Sequence, residues 1–130
     1  MQRTVLSAAG VIGAIGVGAA AWVQHHLVVG ADAEHLDFAL TAVRFALVHA
    51  AVLVGIAALL RDGISRAGRI CLGAAAASFV CGFVFFCGGL WLLAADSSLA
   101  WAQAVPIGGT LFIVGWLAIL AAALAPRPAG

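Results

Sequence analysis

Residues 40–60, LTAVRFALVHAAVLVGIAALL, form an apolar run with a single charge, Arg44. A helix of about 20 residues rises ~30 Å, the thickness of the hydrocarbon core of a bilayer. Three similar stretches, Val5 to Gln24, Ile70 to Ala95 and Gln103 to Ala125, fill most of the remaining chain. Hydrophobic residues make up 65% of the sequence and charged ones 8%, against roughly half and a quarter in a soluble domain. No strand alternation is visible, and in lipid the backbone must satisfy its own hydrogen bonds, so all four stretches are expected to be helices. The expectation is an all-α membrane protein: one integral domain over 1–130, a four-transmembrane-helix bundle with helices at about 5–24, 40–60, 70–95 and 103–125. Arg3 before an apolar run that ends in small residues also outlines a secretory signal peptide. That run is longer than a signal core, however, and three more spans follow it.

Charge placement gives a topology. Arg3, Arg61, Arg66, Arg69 and Arg127 fall in the N-terminus, the middle loop and the C-terminal tail. The first loop carries Asp32, Glu34 and Asp37, and the third carries Asp96. The positive-inside rule then places both termini and the middle loop in the cytoplasm, as for a multi-pass protein of the bacterial inner (plasma) membrane. Arg44 breaks the pattern about one turn inside the outer end of the second helix. It is expected to snorkel to the headgroups or to pair with Asp37. Net charge is +1. The modest cluster Arg61, Arg66 and Arg69, offset by Asp62, suits anionic lipid headgroups and is far too weak for nucleic acid. The tail Ala125-Pro126-Arg127-Pro128 ends the last helix, since proline cannot continue the hydrogen-bond ladder.

Small residues mark where helices can approach. Gly10, Ala14 and Gly18 recur every four residues on the first helix, and Gly73, Ala77 and Cys81 do so on the third. Gly108, Gly115 and Ala122 recur every seven on the fourth. Lipid tails supply no hydrophobic drive between helices, so close backbone approach at such seams matters. Internal packing is the expected use of most of them, and a homodimer or larger complex would use the same chemistry. Pro106 either kinks the fourth helix or occupies its first turn, where proline is harmless.

Few residues carry chemistry. Cys71, Cys81 and Cys87 are spaced for neither a disulfide nor a local metal site and read as packing residues. His25 and His26 end the first helix, His35 lies in the acidic loop, and His49 lies inside the second helix. A buried intramembrane imidazole is costly without a partner, so His49 is the first functional candidate, with His25 and Arg44 beside it. Two readings stay open: haem or metal ligation by His49 with His25 or His26, or an interhelical hydrogen bond from His49 with His25 capping its helix. Asp32, Glu34, His35 and Asp37 could hold a divalent ion weakly, but charged external loops are usually solvated. Asp32 has the position of an N-cap. Trp22, Trp91 and Trp101 fit an outer aromatic belt, and Trp116 is expected to pack internally. The spans hold no phosphate loop and no carboxylate pair, and neither a cysteine nor Ser78, Ser97 or Ser98 has a base within reach. The expectation is therefore no enzyme, no catalytic residue, no bound metal and no cofactor.

Several segments match a known pattern. Ala20-Ala21-Trp22-Val23-Gln24-His25 aligns with Gly-Ala-Phe-Gly-Ala-His. Thr41-Ala42-Val43-Arg44-Phe45-Ala46-Leu47-Val48-His49 aligns with Thr-Ala-Val-x-Tyr-Gln-x-x-His. Phe86-Cys87-Gly88-Gly89-Leu90-Trp91 aligns with Phe-Ser-Gly-Ser-Leu-Tyr, and the stretch from Val105 and Pro106 through Gly108, Gly109, Phe112 and Gly115 to Trp116 aligns with Thr-Pro-x-Gly-Gly-x-x-Phe-x-x-Gly-Trp. In these segments the chain resembles the small inner-membrane proteins of the YgdD/YwdK type, a family of unknown function with relatives in bacteria and mitochondria. The resemblance covers nearly the whole length and implies a four-helix membrane fold without an established activity. Phe45-Ala46 replaces the family's Tyr-Gln, Cys87 and Gly89 replace serines, and Val105 replaces threonine. A polar path or a shared catalytic site is thereby put in doubt.

Three functional classes follow. The leading one is a non-catalytic accessory or assembly subunit that packs through its helices against other membrane protein subunits or its own copies. The second is a small-ligand, haem or metal binder using His49 with His25 or His26. The third, a small-solute transporter or channel, has only Pro106-Ile107-Gly108-Gly109 in its favour, as a stretch able to loosen the start of the fourth helix.

Overall fold

A computed structural model of the chain describes residues 1–27, 32–61, 64–95 and 102–126. Asp62, Asp96, Ser97, Ser98, Trp101, Arg127 and Pro128 lie outside the described residues. Four helices are each long and apolar enough to cross a membrane: α1 (Gln2–Leu27), α2 (Ala33–Leu59), α3 (Arg66–Ala95) and α4 (Ala104–Leu124). No strand occurs among the described residues. The first three helices run longer than the apolar stretches alone suggest, because polar first and last turns such as Ala33 to Phe38 and Arg66 to Arg69 are also helical. Such turns can meet the headgroup layer, where water satisfies what the hydrocarbon cannot.

The ends of these helices have local causes. Asp32 caps α2, its carboxylate accepting from the His35 amide at 2.9 Å. Ser65 caps α3 by accepting from the Gly68 amide at 3.2 Å. Each cap satisfies one of the amides that a helix start leaves unpaired. Pro106 sits in the first turn of α4, where its missing N–H removes no intrahelical bond, and α4 continues unbroken to Leu124. Thr110 donates its hydroxyl to the Pro106 carbonyl at 2.9 Å. The start of α4 is thus not loosened.

Neighbouring helices run antiparallel. Gly16 faces Leu47 and Gly13 faces Ala50 across α1 and α2. Gly115 faces Phe79, and Gly108 faces Phe86, across α3 and α4. Rings from α2 then reach both α3 and α4, pairing Phe45 with Phe86 and His49 with Phe112. This up-and-down course collects Arg3, Arg61, Arg66 and Arg69 at one end of the bundle, and Asp32, Glu34, His35 and Asp37 at the other.

The small-residue series divide sharply. Gly108 and Gly115 are buried in the crossing with α3: a methyl at Gly108 would lie 2.7 Å from the Phe86 Cα, and one at Gly82 would meet the Phe112 ring at 2.7 Å. Further along, Ala122 offers its carbonyl to the Gly68 side. By contrast, Gly10, Ala14 and Gly18 are exposed, with nothing within 4 Å of a methyl placed at Gly10 or Gly18. Internal packing on α1 uses Val5, Ala9, Ile12 and Gly16 instead. They meet α2, whose buried stripe includes Ala42, Ala46, Ala50, Leu53 and Ala57. The choice follows from shape: Gly16 admits the Leu47 side chain and Ala46, so one helix supplies the hollow and the other the knob. Gly73, Ala77 and Cys81 line an open groove rather than a closed seam.

Two helices contain a wider π turn, Val23–Leu27 in α1 and Phe83–Cys87 in α3. Along α3 the buried residues advance in short steps through Leu72, Ala75, Ala76, Phe79 and Gly82, then jump to Cys87. The π turn absorbs one extra residue, which turns Cys87 toward the side of Phe79, and Gly89 and Leu90 beyond it are also buried.

Gly108→Ala should lower the thermal unfolding midpoint in detergent markedly, with an expected cost of about 1–3 kcal/mol for overpacking against a backbone that cannot move aside. Gly10→Ala should leave the midpoint unchanged or raise it slightly, since glycine is the poorer helix former.

Candidate functional site

Among the described residues the one buried polar side chain is His49, 4% exposed and carried midway along α2. Its ring stacks on Phe112 with centroids 3.9 Å apart and planes at 15°. Phe79 lies 5.0 Å away, Phe45 5.8 Å and the edge of Trp116 6.2 Å. Phe86 extends the cluster, 4.6 Å from Phe45 and 5.6 Å from Phe112. Helices α2, α3 and α4 each contribute to this aromatic box, and the crossing at Gly108 and Gly115 brings the contributors together. Trp116, expected inside, is 47% exposed. It lays one edge on His49 and Phe79 and turns its other side outward, because Gly115 takes the buried position beside it.

The interhelical hydrogen bond that one of the two readings gave His49 is not formed among the described residues. Its Nδ1 instead bonds one turn back along its own helix, to the Phe45 carbonyl at 2.8 Å. A carbonyl only accepts, so Nδ1 carries the proton and a neutral ring presents a bare lone pair at Nε2. That Nε2 is buried and has no hydrogen-bond partner. An orphaned acceptor of this kind costs about 1–3 kcal/mol, and the surrounding packing must exceed that cost. An Nδ1–H bonded to a carbonyl is also the arrangement that prepares Nε2 for a metal. That lone pair is shut away inside the protein, so ligation would require His49 or its neighbours to move.

The other candidates do not converge on it. His25 is exposed on the π turn of α1. Its neighbour His26 makes the local contacts, stacking on Trp22 at 5.4 Å and bonding the Trp22 carbonyl at 3.1 Å. Trp22 in turn meets Trp91 of α3 edge-on at 5.8 Å. Arg44 is exposed and lines a shallow apolar groove of about 180 Å³ with Phe45, Val48 and His49. Among the described residues no carboxylate lies within ion-pairing distance of Arg44, so the pairing with Asp37 is not formed. Nor do any three His, Cys, Asp or Glu side chains gather among the described residues. A methyl at Gly88 would meet nothing within 4 Å, whereas Gly89 is buried and a methyl at Gly109 would meet the Phe86 ring at 3.7 Å. Cys87 is buried, Cys71 is partly covered and Cys81 is exposed.

In the acidic cluster, Asp32 is committed to its helix. The His35 amide first, and the His35 ring at 2.6 Å second, hold the Asp32 carboxyl below its ordinary value of 3.8. Its contribution to stability is therefore complete above that value and is lost as the pH falls below it, through the lowered folded value. NMR titration of the Asp32 carboxyl carbon should give a midpoint below 3.8. Asp32→Ala should increase amide exchange at His35 and the first turn of α2 and leave the rest of that helix protected.

At the box, His49→Phe keeps the stack and deletes the orphaned nitrogen, so unfolding in detergent should match or exceed wild type. His49→Ala leaves a cavity and should cost about 2–4 kcal/mol.

Sequence reasoning singled out His49 but missed its neighbours Phe79 and Phe86. Aromatic residues in an apolar span give no signal of which face they occupy. A hint lay in the spacing of Phe79 and Phe86, which matches that of Gly108 and Gly115 on the antiparallel partner.

The comparisons with known proteins agree with this architecture. Over 120 residues the chain is 28% identical to a UPF0382 membrane protein of Haemophilus influenzae, covering 92% of each chain. It is 46% identical over 43 residues to a UPF0382 membrane protein of Staphylococcus epidermidis, covering 33% of this chain and 35% of that one. No solved structure matches. The family model described as protein of unknown function DUF423 matches residues 12–109, a stretch that includes His49, the π turn of α3 and Gly108. This four-helix membrane protein therefore belongs to the DUF423 family.

Proposed function

We propose that the protein is a non-catalytic accessory or assembly subunit of the bacterial inner membrane, which binds a helix of another membrane protein or of a second copy. The observation that carries this reading is the outer face of α1. Gly10, Ala14 and Gly18 form an exposed ridge of small residues, and among the described residues nothing lies within 4 Å of a methyl placed at Gly10 or Gly18. Glycines lower the stability of a helix, and inside the bundle these gain no compensating contact. A partner helix lying on the ridge would supply that contact by close van der Waals approach. The orientation that fits is the arginine-bearing end toward the cytoplasm, as the positive-inside rule favours.

Ligand binding at His49 has one feature in its favour, the bare Nε2 lone pair. The four rings packed around it favour a structural role. An absorbance spectrum and metal analysis of the purified protein separate the two, a haem band or a stoichiometric metal pointing to ligation.

Extraction in mild detergent should yield a species larger than the 13.1 kDa chain. The double variant Gly10→Leu, Gly18→Leu should dissociate it without lowering the unfolding midpoint of the monomer. Light scattering that finds only monomer under every mild condition would count against the subunit reading.

A further inference from the structure

We propose that the protein holds one anionic phospholipid, with an acyl chain in the groove between α1 and α3 and the phosphate at Arg66 and Arg69. The groove has a volume of about 550 Å³, within the ~300–1,000 Å³ range of sites that accept small ligands. Met1, Thr4, Val5 and Ala8 line it from α1, and Gly73, Ala76, Ala77, Val80 and Cys81 from α3. The small side chains on the α3 wall explain why it stays open: a methyl on Gly73 would meet only the Met1 sulfur, at 3.2 Å. Apart from the Thr4 hydroxyl and the Cys81 thiol the lining is apolar, which suits an acyl chain.

Charge at one end of the groove selects the headgroup. Stepping back along α3 from Gly73 by four and then three residues reaches Arg69 and Arg66, so both arginines share the groove's stripe, in the turns just beyond its mouth. Both are exposed, and among the described residues neither has a carboxylate within ion-pairing distance. Arg3 flanks the same end from α1. The parallel helices α1 and α3 also both begin there, so their positive dipole ends add to the guanidinium field. Three of the five acidic residues of the chain, Asp32, Glu34 and Asp37, lie at the opposite end. A phosphate diester with no compensating cation fits this end better than a zwitterionic headgroup does.

A protein helix fits the groove less well. Its walls extend over only about two turns of each helix, Met1 to Ala8 and Gly73 to Cys81, whereas a partner helix ~10 Å across needs a longer exposed face. An acyl chain is narrow enough to lie between the two walls and can run on past them into the surrounding lipid. This inference does not depend on the α1 ridge, which lies on another face of that helix.

Native mass spectrometry of the full chain, released from mild detergent, tests the proposal with phosphatidylglycerol and phosphatidylcholine of identical acyl chains. Wild type should retain phosphatidylglycerol about tenfold over phosphatidylcholine, the order expected from one or two arginines near a headgroup. Arg66→Gln with Arg69→Gln should bring the preference close to parity. Ala77→Phe, which fills the groove from an exposed position, should reduce retention of both lipids, with Ala77→Leu as the milder substitute if the unfolding midpoint drops. Equal retention of the two lipids by wild type would overturn the proposal. So would undiminished phosphatidylglycerol binding in both Ala77 variants, or a dimer that those variants abolish, which would assign the groove to a second copy.

Discussion

The bundle depends on the crossing of α3 and α4, where Gly108 and Gly115 remove the side chains that would hold two helix backbones apart. Water does not drive that crossing, because both helices are surrounded by hydrocarbon whether they touch or not. What holds them is dispersion between well-fitted surfaces, and dispersion falls away within an ångström of added separation. The hollows left by the two glycines are filled by the Phe86 backbone and by Phe79, which is fully buried. Gly82 gives the same service in the other direction to Phe112. Each helix thus provides both knob and hole, a mutual fit that fixes the register.

The aromatic box follows from that register. Phe112 comes within reach of His49 because the crossing draws α4 in beside Phe79 of α3, and it then lies flat against the imidazole. A histidine at this depth would ordinarily seek a second polar partner from a neighbouring helix. Here its own helix satisfies one nitrogen, and the other is sealed by rings. In the resemblance pattern the residues at Phe45 and Ala46 are Tyr and Gln, polar side chains one turn before the histidine. Their apolar replacements match the dry environment of the box.

Much of the architecture was legible in the sequence, and particular residues show where legibility stops. Length and apolar content suffice for four spans, since a bilayer leaves the backbone no alternative to helix. Asp32 was readable as a cap because a short oxygen-bearing side chain ahead of a helix can reach the amide three residues on, and Ser65, which the same logic covers, was passed over. The faces of α1 were not readable. Gly10, Ala14 and Gly18 have the same spacing logic as Ala9, Gly13 and Gly16, and only the Leu47 side chain of α2, resting in the hollow of Gly16, decides which set is inside. Trp116 was misjudged for a related reason. Depth along a span can be counted from the sequence, but the outward turn of a side chain depends on which neighbour takes the inner position, and Gly115 takes it here.

The widened turn at Phe83–Cys87 bears on how information passes between this chain and its relatives. Beyond it, every position faces about 100° away from where an uninterrupted α-helix would point it. The motif beginning at Phe86 starts inside that turn, and the two places where the resemblance pattern has serine, Cys87 and Gly89, are both buried. These two positions are two residues apart, about 200° around the helix, so the burial of both means that neighbouring helices enclose this end of α3 on more than one side. Hydroxyls at those two sites in a relative with the same packing would face the protein interior.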